Sequence, residues 1–197
     1  MDDGDNAVTA LLVIDMQKGL FADETPRYDA DGVVERINAL GRAVRGSGGL
    51  VVFIQHTGSQ GNALEMGTDG WYLLSSLERG ADDVIVCKSA CDAFYNTDLA
   101  NVLDARKVRR LIVTGCATDF CVDTTVRAAI SRDYQVAVAA DGHTTADRPH
   151  IDAAALIRHH NWLWRNLIHP KVRIEVVPAG DLIASCREGG AAGRKGA

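Results

Sequence analysis

Short apolar runs alternate with segments of helical periodicity along most of the chain, and this alternation constrains the fold more than any other feature. The runs are nearly continuous in apolar residues, as is typical of strands that are buried on both faces. They lie at residues 8–15, 50–55, 84–88, 110–115, 135–141 and 172–177. Helices are predicted between them, from residue 31 into the glycine-rich residues 46–49, and at about 97–105, 119–133 and 150–167.

Strands that alternate with helices predict an α/β protein with helices on both faces of the sheet. We expect three α/β/α layers around a doubly wound, six-stranded parallel sheet in the order 3-2-1-4-5-6. One domain is expected over residues 1–186, followed by a disordered tail at 187–197, which is rich in small and polar residues. Residues 57–80 lack a long helix, and so long a connection is usually functional or disordered. We call them the irregular segment and predict a lid there.

Composition excludes several classes of function. The formal net charge is −5, with 21 basic and 26 acidic residues, which argues against a nucleic-acid surface. No apolar run is long enough to span a membrane, and the first residues are acidic rather than cationic as in a signal peptide. The expected location is therefore the cytoplasm, where thiols stay reduced. The five cysteines are then not expected to form a disulfide framework.

Polar residues follow four of the predicted strands, at the edge of the sheet where parallel α/β folds bind ligands. Asp15 ends the first run, Lys88 ends the third, and His143 follows the fifth. The fourth leads into "TGCATDFC", which contains Cys116 and Cys121. A strand often ends in a polar residue where it meets water, so each position alone is weak evidence for a functional site. Together with a cysteine at a helix start, they indicate a site.

The two thiols leave four interpretations open: a disulfide, a metal site, core filler, or a nucleophile with a neighbour. Thiols stay reduced in the cytoplasm, which argues against the disulfide. Two cysteines five positions apart, without further ligands nearby, are weak evidence for a zinc site. Cys121 lies where a helix dipole favours a thiolate, whereas Cys116 ends a buried strand. Lys88 could serve as the adjacent cation and Asp15 as the base. The backbone N–H groups of Ala117 and Cys121 could form an oxyanion hole.

Three blocks of the sequence resemble the isochorismatase-like cysteine hydrolases, a family that includes nicotinamidases, N-carbamoylsarcosine amidases and isochorismatases. The blocks are "ALLVIDMQKGLF", "VCKSACDAFYNTDL" and "VTGCATDFCVDTTVRAA". The resemblance implies a catalytic Asp15, Lys88 and Cys121. It also implies a cis peptide bond between Cys116 and Ala117 that turns the Ala117 N–H toward the oxyanion, and an oligomeric assembly.

The sequence departs from the nicotinamidase branch after the second strand, where that branch carries an aspartate and histidines that bind metal. Here the place reads "FIQHTGSQG", in which His56 has no second histidine nearby. We therefore predict no catalytic metal and no cofactor, and a small-molecule substrate. The residues predicted to line the substrate pocket are Phe21, His56, Trp71, Tyr72, Phe94 and His143.

These observations favour hydrolysis of an amide or carbamoyl C–N bond through a thioester on Cys121. One alternative is isochorismatase-type cleavage of a vinyl ether with Asp15 as the acid, which does not need the thiol. A second alternative is a binding protein on the same fold, non-catalytic or redox-responsive, in which Cys121 is merely oxidisable. Release of ammonia from small amides would separate the first possibility from the other two.

Overall fold

The computed structural model describes residues 8–22 and 24–193. Six strands form a single sheet in which every neighbouring pair is parallel. The strands are β1 (Val8–Ile14), β2 (Leu50–His56), β3 (Val84–Lys88), β4 (Val108–Cys116), β5 (Gln135–Thr144) and β6 (Glu175–Val177). Their order is β3-β2-β1-β4-β5-β6, so the predicted order is confirmed.

Among the described residues, five α-helices cover the two faces of the sheet. They are α1 (Ala30–Gly46), α2 (Leu99–Ala105), α3 (Asp123–Ile130), α4 (Ala153–Arg165) and α5 (Ala179–Gly193). Helices α1 and α5 pack on one face, against β1 residues such as Leu11 and Val13. Helices α2, α3 and α4 pack on the other, against Leu12 and Ile14. The central strand is thus buried on both faces, which is why it is almost entirely apolar.

Most helix and strand boundaries differ from the sequence prediction by one to three residues. The larger differences lie at the start of α3, in the last strand and in α5. The helix predicted from residue 119 begins instead as a π-helical turn at Thr118–Val122, and α3 starts only at Asp123. The strand predicted at 172–177 is paired only at Glu175–Val177. Helix α5 continues to Gly193, so its backbone includes residues 187–193 of the predicted tail, while 194–197 lie outside the described residues.

The irregular segment contains only one short 3₁₀ turn, Asp69–Trp71, and is fixed to the sheet by buried glutamines. The side-chain amides of Gln17 and Gln55 both donate to the Trp71 carbonyl oxygen at 2.7 Å. Because two side chains hold one carbonyl, this part of the segment has a defined position over the ends of β1 and β2. None of the helices in residues 8–22 and 24–193 is long and apolar enough to cross a membrane.

Gly115 allows β1 and β4 to approach each other closely just before the turn after β4. Its φ is +119°, and a Cβ there would lie 2.1 Å from the Ile14 carbonyl oxygen. Both the dihedral angle and the contact therefore require glycine. The next residue after Ile14 is Asp15, and the next after Gly115 is Cys116, so this contact sets the spacing between the two strand ends.

Gly115→Ala is expected to lower the free energy of unfolding by roughly 2–4 kcal/mol, because the new Cβ must push the two central strands apart. Urea denaturation of the variant and the native chain measures the change. Gly180→Ala, in α5 with open space around its Cβ position, is the matched control and should shift stability by no more than about 1 kcal/mol. Equal losses in both variants would contradict the requirement for glycine at position 115.

Candidate active site

The carboxyl ends of β1 and β3 bring Asp15 and Lys88 together beneath the turn that follows β4. Strand β2 lies between these strands, so the long lysine side chain reaches past the end of β2 to the carboxylate. Lys88 Nζ donates to Asp15 Oδ2 at 2.7 Å, and the two side chains are only 0% and 2% exposed. Each charge would be costly to bury alone, and the contact provides the compensation.

The Lys88 ammonium also connects the ion pair to its surroundings. Its Nζ lies 3.0 Å from the Ala90 carbonyl oxygen, 3.2 Å from Cys121 Sγ and 3.2 Å from His56 Nδ1. An ammonium has three protons, so these partners and Asp15 compete for its donors. Burial and the neighbouring Lys88 both lower the pKa of His56. The imidazole is therefore a neutral acceptor at Nδ1, with its proton on Nε2.

Burial sets the protonation of the three central groups. It raises the pKa of the Asp15 carboxyl against the opposing pull of the Lys88 ammonium. Burial alone would lower the pKa of Lys88, but Asp15 and Cys121 outweigh it, so that pKa is raised and the ammonium stays charged. Burial and the Asp15 carboxylate raise the pKa of Cys121. The thiol thus rests protonated beside a carboxyl that accepts protons more readily than a surface aspartate does.

One oxygen of Asp15 has unused hydrogen-bonding capacity. Oδ2 accepts from Lys88, whereas Oδ1 is buried and has no hydrogen-bond partner among the described residues. A buried acceptor without a partner is uncommon in folded proteins and requires an explanation. Because Asp15 also lines a cavity together with Cys121, Oδ1 is available to accept a proton there.

The turn after β4 presents Cys121 to this pair. The peptide bond between Cys116 and Ala117 is cis. The π-helical turn Thr118–Val122 follows at once, and the Val122 N–H donates to the Ala117 carbonyl oxygen at 3.2 Å. Cys121 is half-buried within this turn, while Cys116 is fully buried and burial raises the pKa of its thiol to about 12. Of the two thiols, only Cys121 lies within hydrogen-bond distance of the Lys88 ammonium.

A cavity of about 320 Å³ opens over the ion pair and the thiol. This volume fits a small molecule. Its walls come from the strand ends, the turn after β4, and loops. They are lined by Asp15, Leu20, Thr25, Arg27, His56, Leu64, Cys91, Cys116, Ala117, Phe120, Cys121 and Arg148.

Arg148 and Asp119 form a rigid side of the cavity. The guanidinium donates from Nε and Nη2 to the two carboxylate oxygens at 2.8 and 3.0 Å, and the Thr145 hydroxyl donates to the same carboxylate at 2.6 Å. The guanidinium also lies over the Phe120 ring, 5.1 Å from its centroid. Asp119 belongs to the π-helical turn, so this contact fixes the turn from its outer side.

His143 supports the same turn from within the core. Asn161 donates from its amide nitrogen to the Ala140 carbonyl oxygen, so its amide oxygen faces His143 Nε2 at 3.0 Å. His143 therefore donates from Nε2, and its Nδ1 accepts from the Thr118 hydroxyl at 2.9 Å. Burial lowers the pKa of His143 to about 4, which keeps the ring neutral.

The structure places only one of the six predicted pocket residues, His56, in the cavity wall. Phe94 instead packs in the core and stacks on Tyr134, with the ring centroids 5.8 Å apart, and His143 is buried behind the turn. Phe21 packs against the core beneath α1. Trp71 donates from Nε1 to the Thr57 hydroxyl, and Tyr72 is half-exposed beside it. These five residues support the site or lie near it without lining it.

Sequence reasoning missed seven residues of the cavity wall: Leu20, Thr25, Arg27, Leu64, Cys91, Phe120 and Arg148. Phe120 adjoins the predicted nucleophile, and this adjacency was a usable signal. The two arginines lie in loops with no periodicity and no motif, so the sequence does not indicate that their side chains reach the cavity. Within residues 8–22 and 24–193, no group of three or more His, Cys, Asp or Glu side chains could hold a metal ion.

The chain is similar in sequence to a family model and to several known proteins. A family model described as the isochorismatase domain matches residues 9–161. A streptothricin hydrolase of Streptomyces noursei is 34% identical over 142 residues, an alignment that covers 72% of this chain and 51% of the relative. The chain thus spans about half the length of that relative.

Two further relatives match over most of their length. The ureidoacrylate amidohydrolase RutB of Methylorubrum extorquens is 31% identical over 189 residues, covering 77% of this chain and 76% of the relative. A solved structure of a cysteine hydrolase from Pseudomonas syringae pv. phaseolicola 1448A superimposes with a TM-score of 0.83 at 26% identity, covering 92% of this chain and 93% of that one.

The buried His143 makes stability depend on pH. The unfolded ring takes up a proton below about pH 6.5, whereas the folded ring does so only near 4. Stability from this group is therefore complete above about pH 6.5 and is lost as the pH falls toward 4. Between pH 7.5 and 5, the loss should be about 2 kcal/mol.

Urea denaturation of His143→Gln at those two pH values should show a loss on acidification that is smaller by that amount. His159→Gln, at an exposed histidine of α4, is the control and should keep the native pH dependence. If the native protein and both variants lose equal stability on acidification, the pKa of His143 is not lowered by burial.

Proposed function

The chain belongs to the isochorismatase family, and we propose that it hydrolyses an amide or carbamoyl C–N bond of a small molecule through a thioester on Cys121. The observation that carries this proposal is the contact of the Cys121 thiol with the Lys88 ammonium, which is itself paired to Asp15 at the cavity. A nucleophile, a base and a cation in contact are what covalent catalysis by cysteine requires.

The relatives support the same type of bond. One is named a streptothricin hydrolase, and another is named a ureidoacrylate amidohydrolase. Cleavage of a vinyl ether with Asp15 as the acid would leave the contact between Cys121 and Lys88 without a purpose. Hydrolysis at C–N bonds gives the thiol, the carboxylate and the ammonium a role each.

Asp15 is proposed as the base that activates the thiol. Its free Oδ1 accepts the Cys121 proton as Sγ attacks the substrate carbonyl carbon. Burial has already raised the pKa of this carboxyl, so the transfer is less unfavourable than to an exposed aspartate. Lys88 stays protonated and compensates first the carboxylate and then the developing thiolate.

The oxyanion of the tetrahedral intermediate needs hydrogen-bond donors beside Sγ. We propose the backbone N–H groups of Ala117 and Cys121 for this role. The Ala117 N–H donates no hydrogen bond to any described residue, and Ala117 lines the cavity. Backbone donors that are already fixed in position stabilise such a charge with little reorganisation.

The remaining steps return the enzyme to its starting state. Asp15 gives the proton to the leaving nitrogen, the C–N bond breaks, and the acyl or carbamoyl group stays on Sγ. Water then attacks this thioester while Asp15 accepts its proton, and Sγ leaves and is reprotonated. Two protons thus pass through Asp15 in each turnover, one from the thiol to the leaving nitrogen and one from water back to the thiol, and no reactant besides water is needed.

Cys121→Ala and Cys121→Ser are expected to abolish ammonia release from the small amide or carbamoyl compounds that the native protein cleaves. Cys116→Ala should retain measurable activity, because that thiol does not contact the Lys88 ammonium and burial raises its pKa to about 12. A screen of small amides, imides and carbamoyl compounds, read by ammonia release, tests both. Activity that survives at position 121 but not at 116 would assign the nucleophile to the other cysteine.

Asp15→Asn and Lys88→Met are each expected to lower kcat/KM by roughly 10²–10⁴-fold, since either change disables the proton transfer. The double variant should lose far less than the product of the two single losses, because the residues act as one unit. Thermal unfolding of each variant checks that the fold persists. Multiplicative losses in folded proteins would mean that Asp15 and Lys88 act independently.

A further inference from the structure

We infer that Arg27 binds an anionic group of the substrate, a carboxylate in the simplest case, an assignment that rests on the proposed hydrolysis at Cys121. Arg27 is half-buried in the loop between β1 and α1 and lines the same cavity as the thiol. It plays no part in the chemistry proposed above. Its role would be to select and position the substrate.

The charges of the cavity wall are balanced except at this residue. Asp15 pairs with Lys88, and Arg148 pairs with Asp119. His56 is neutral, because burial and Lys88 lower its pKa. Arg27 forms no ion pair with a carboxylate of the residues described. The described wall therefore carries one net positive charge, and an anionic substrate would neutralise it.

Hydrogen bonds hold Arg27 in place, both at its own side chain and at the backbone of the next residue. Its Nε donates to the Leu20 carbonyl oxygen at 2.6 Å. The adjacent Tyr28 donates its N–H to the Thr145 carbonyl oxygen, and its own carbonyl oxygen accepts from the Thr144 hydroxyl at 2.6 Å. The guanidinium is thus anchored to the sheet edge before any substrate arrives, which reduces the entropy lost on binding.

The guanidinium retains free donors of the right geometry. Only Nε is engaged, and the two Nη groups donate to no described residue. A planar fork of N–H donors matches a carboxylate in two parallel hydrogen bonds. The Arg27 charge also acts on the Cys116 thiol in the cavity wall. It lowers the pKa of that thiol, whereas burial raises it.

Binding to the Cys121→Ala protein tests the inference without turnover. The ligands are N-carbamoylglycine and N-carbamoyl-β-alanine, with two separations between the carbamoyl carbon and the carboxylate, and their uncharged methyl esters. At least one acid should bind roughly 10- to 100-fold more tightly than its ester by calorimetry, as expected for a charge-assisted pair. Adding Arg27→Met should abolish that preference, and Arg27→Lys should restore part of it.

Arg109→Met on the same background is the matched control. It removes the same charge from the start of β4, at the opposite edge of the sheet, and should leave the preference intact. Equal affinity of acids and esters, a preference that survives Arg27→Met, or no measurable binding of either acid at millimolar concentration would each overturn the inference.

Ammonia release by the protein with Cys121 intact separates the two proposals. If the acids bind through Arg27 but no ammonia is released, the proposed hydrolysis fails for them while the anion site stands. If esters and acids are cleaved with equal kcat/KM, the hydrolysis stands and the role of Arg27 is wrong. If Arg27→Met raises KM for the acids alone, both proposals are supported.

Discussion

The ion pair between Asp15 and Lys88 is the contact on which the candidate site depends. Two charges with almost no exposure can be accommodated only as partners, since one left alone would cost several kcal/mol. Their strands are not neighbours, so the pair forms only when β2 is inserted between β3 and β1 in the observed order. The same insertion places His56 opposite Lys88 in the register of β2 and β3. The order of the strands therefore determines which charged and polar side chains meet at the site.

A second constraint fixes the position of Cys121 relative to that pair. Gly115 lets β4 approach β1 at the strand ends, and the following turn is supported by His143 from the core and by Arg148 from outside. Both contacts are made to side chains of the turn itself, Thr118 and Asp119. Loss of either contact would move Cys121 relative to Lys88 without altering the three central side chains.

Periodicity and strand-end chemistry predicted the sheet and the positions of Asp15, Lys88 and Cys121, because buried strands and their polar ends leave local signals. Apolar spacing does not distinguish an α-turn from the π-turn at Thr118–Val122, so that detail was missed. The residues of the pocket wall were harder to predict from the sequence. Aromatic residues such as Phe94 are equally suited to core packing, and Arg27 gains its meaning only when a loop folds back over the edge of the sheet.

A protonated thiol at rest has a physical advantage in this cavity. A permanent thiolate beside the Asp15 carboxylate would add a second negative charge where Lys88 supplies a single positive one. Holding the proton until a carbonyl carbon is present keeps the buried charge balanced and protects the sulfur from oxidants, which react with thiolates. In the proposed reaction, proton transfer to Asp15 would coincide with bond formation, when the new negative charge moves from sulfur to the carbonyl oxygen. The N–H donors proposed at Ala117 and Cys121 are placed to receive it there.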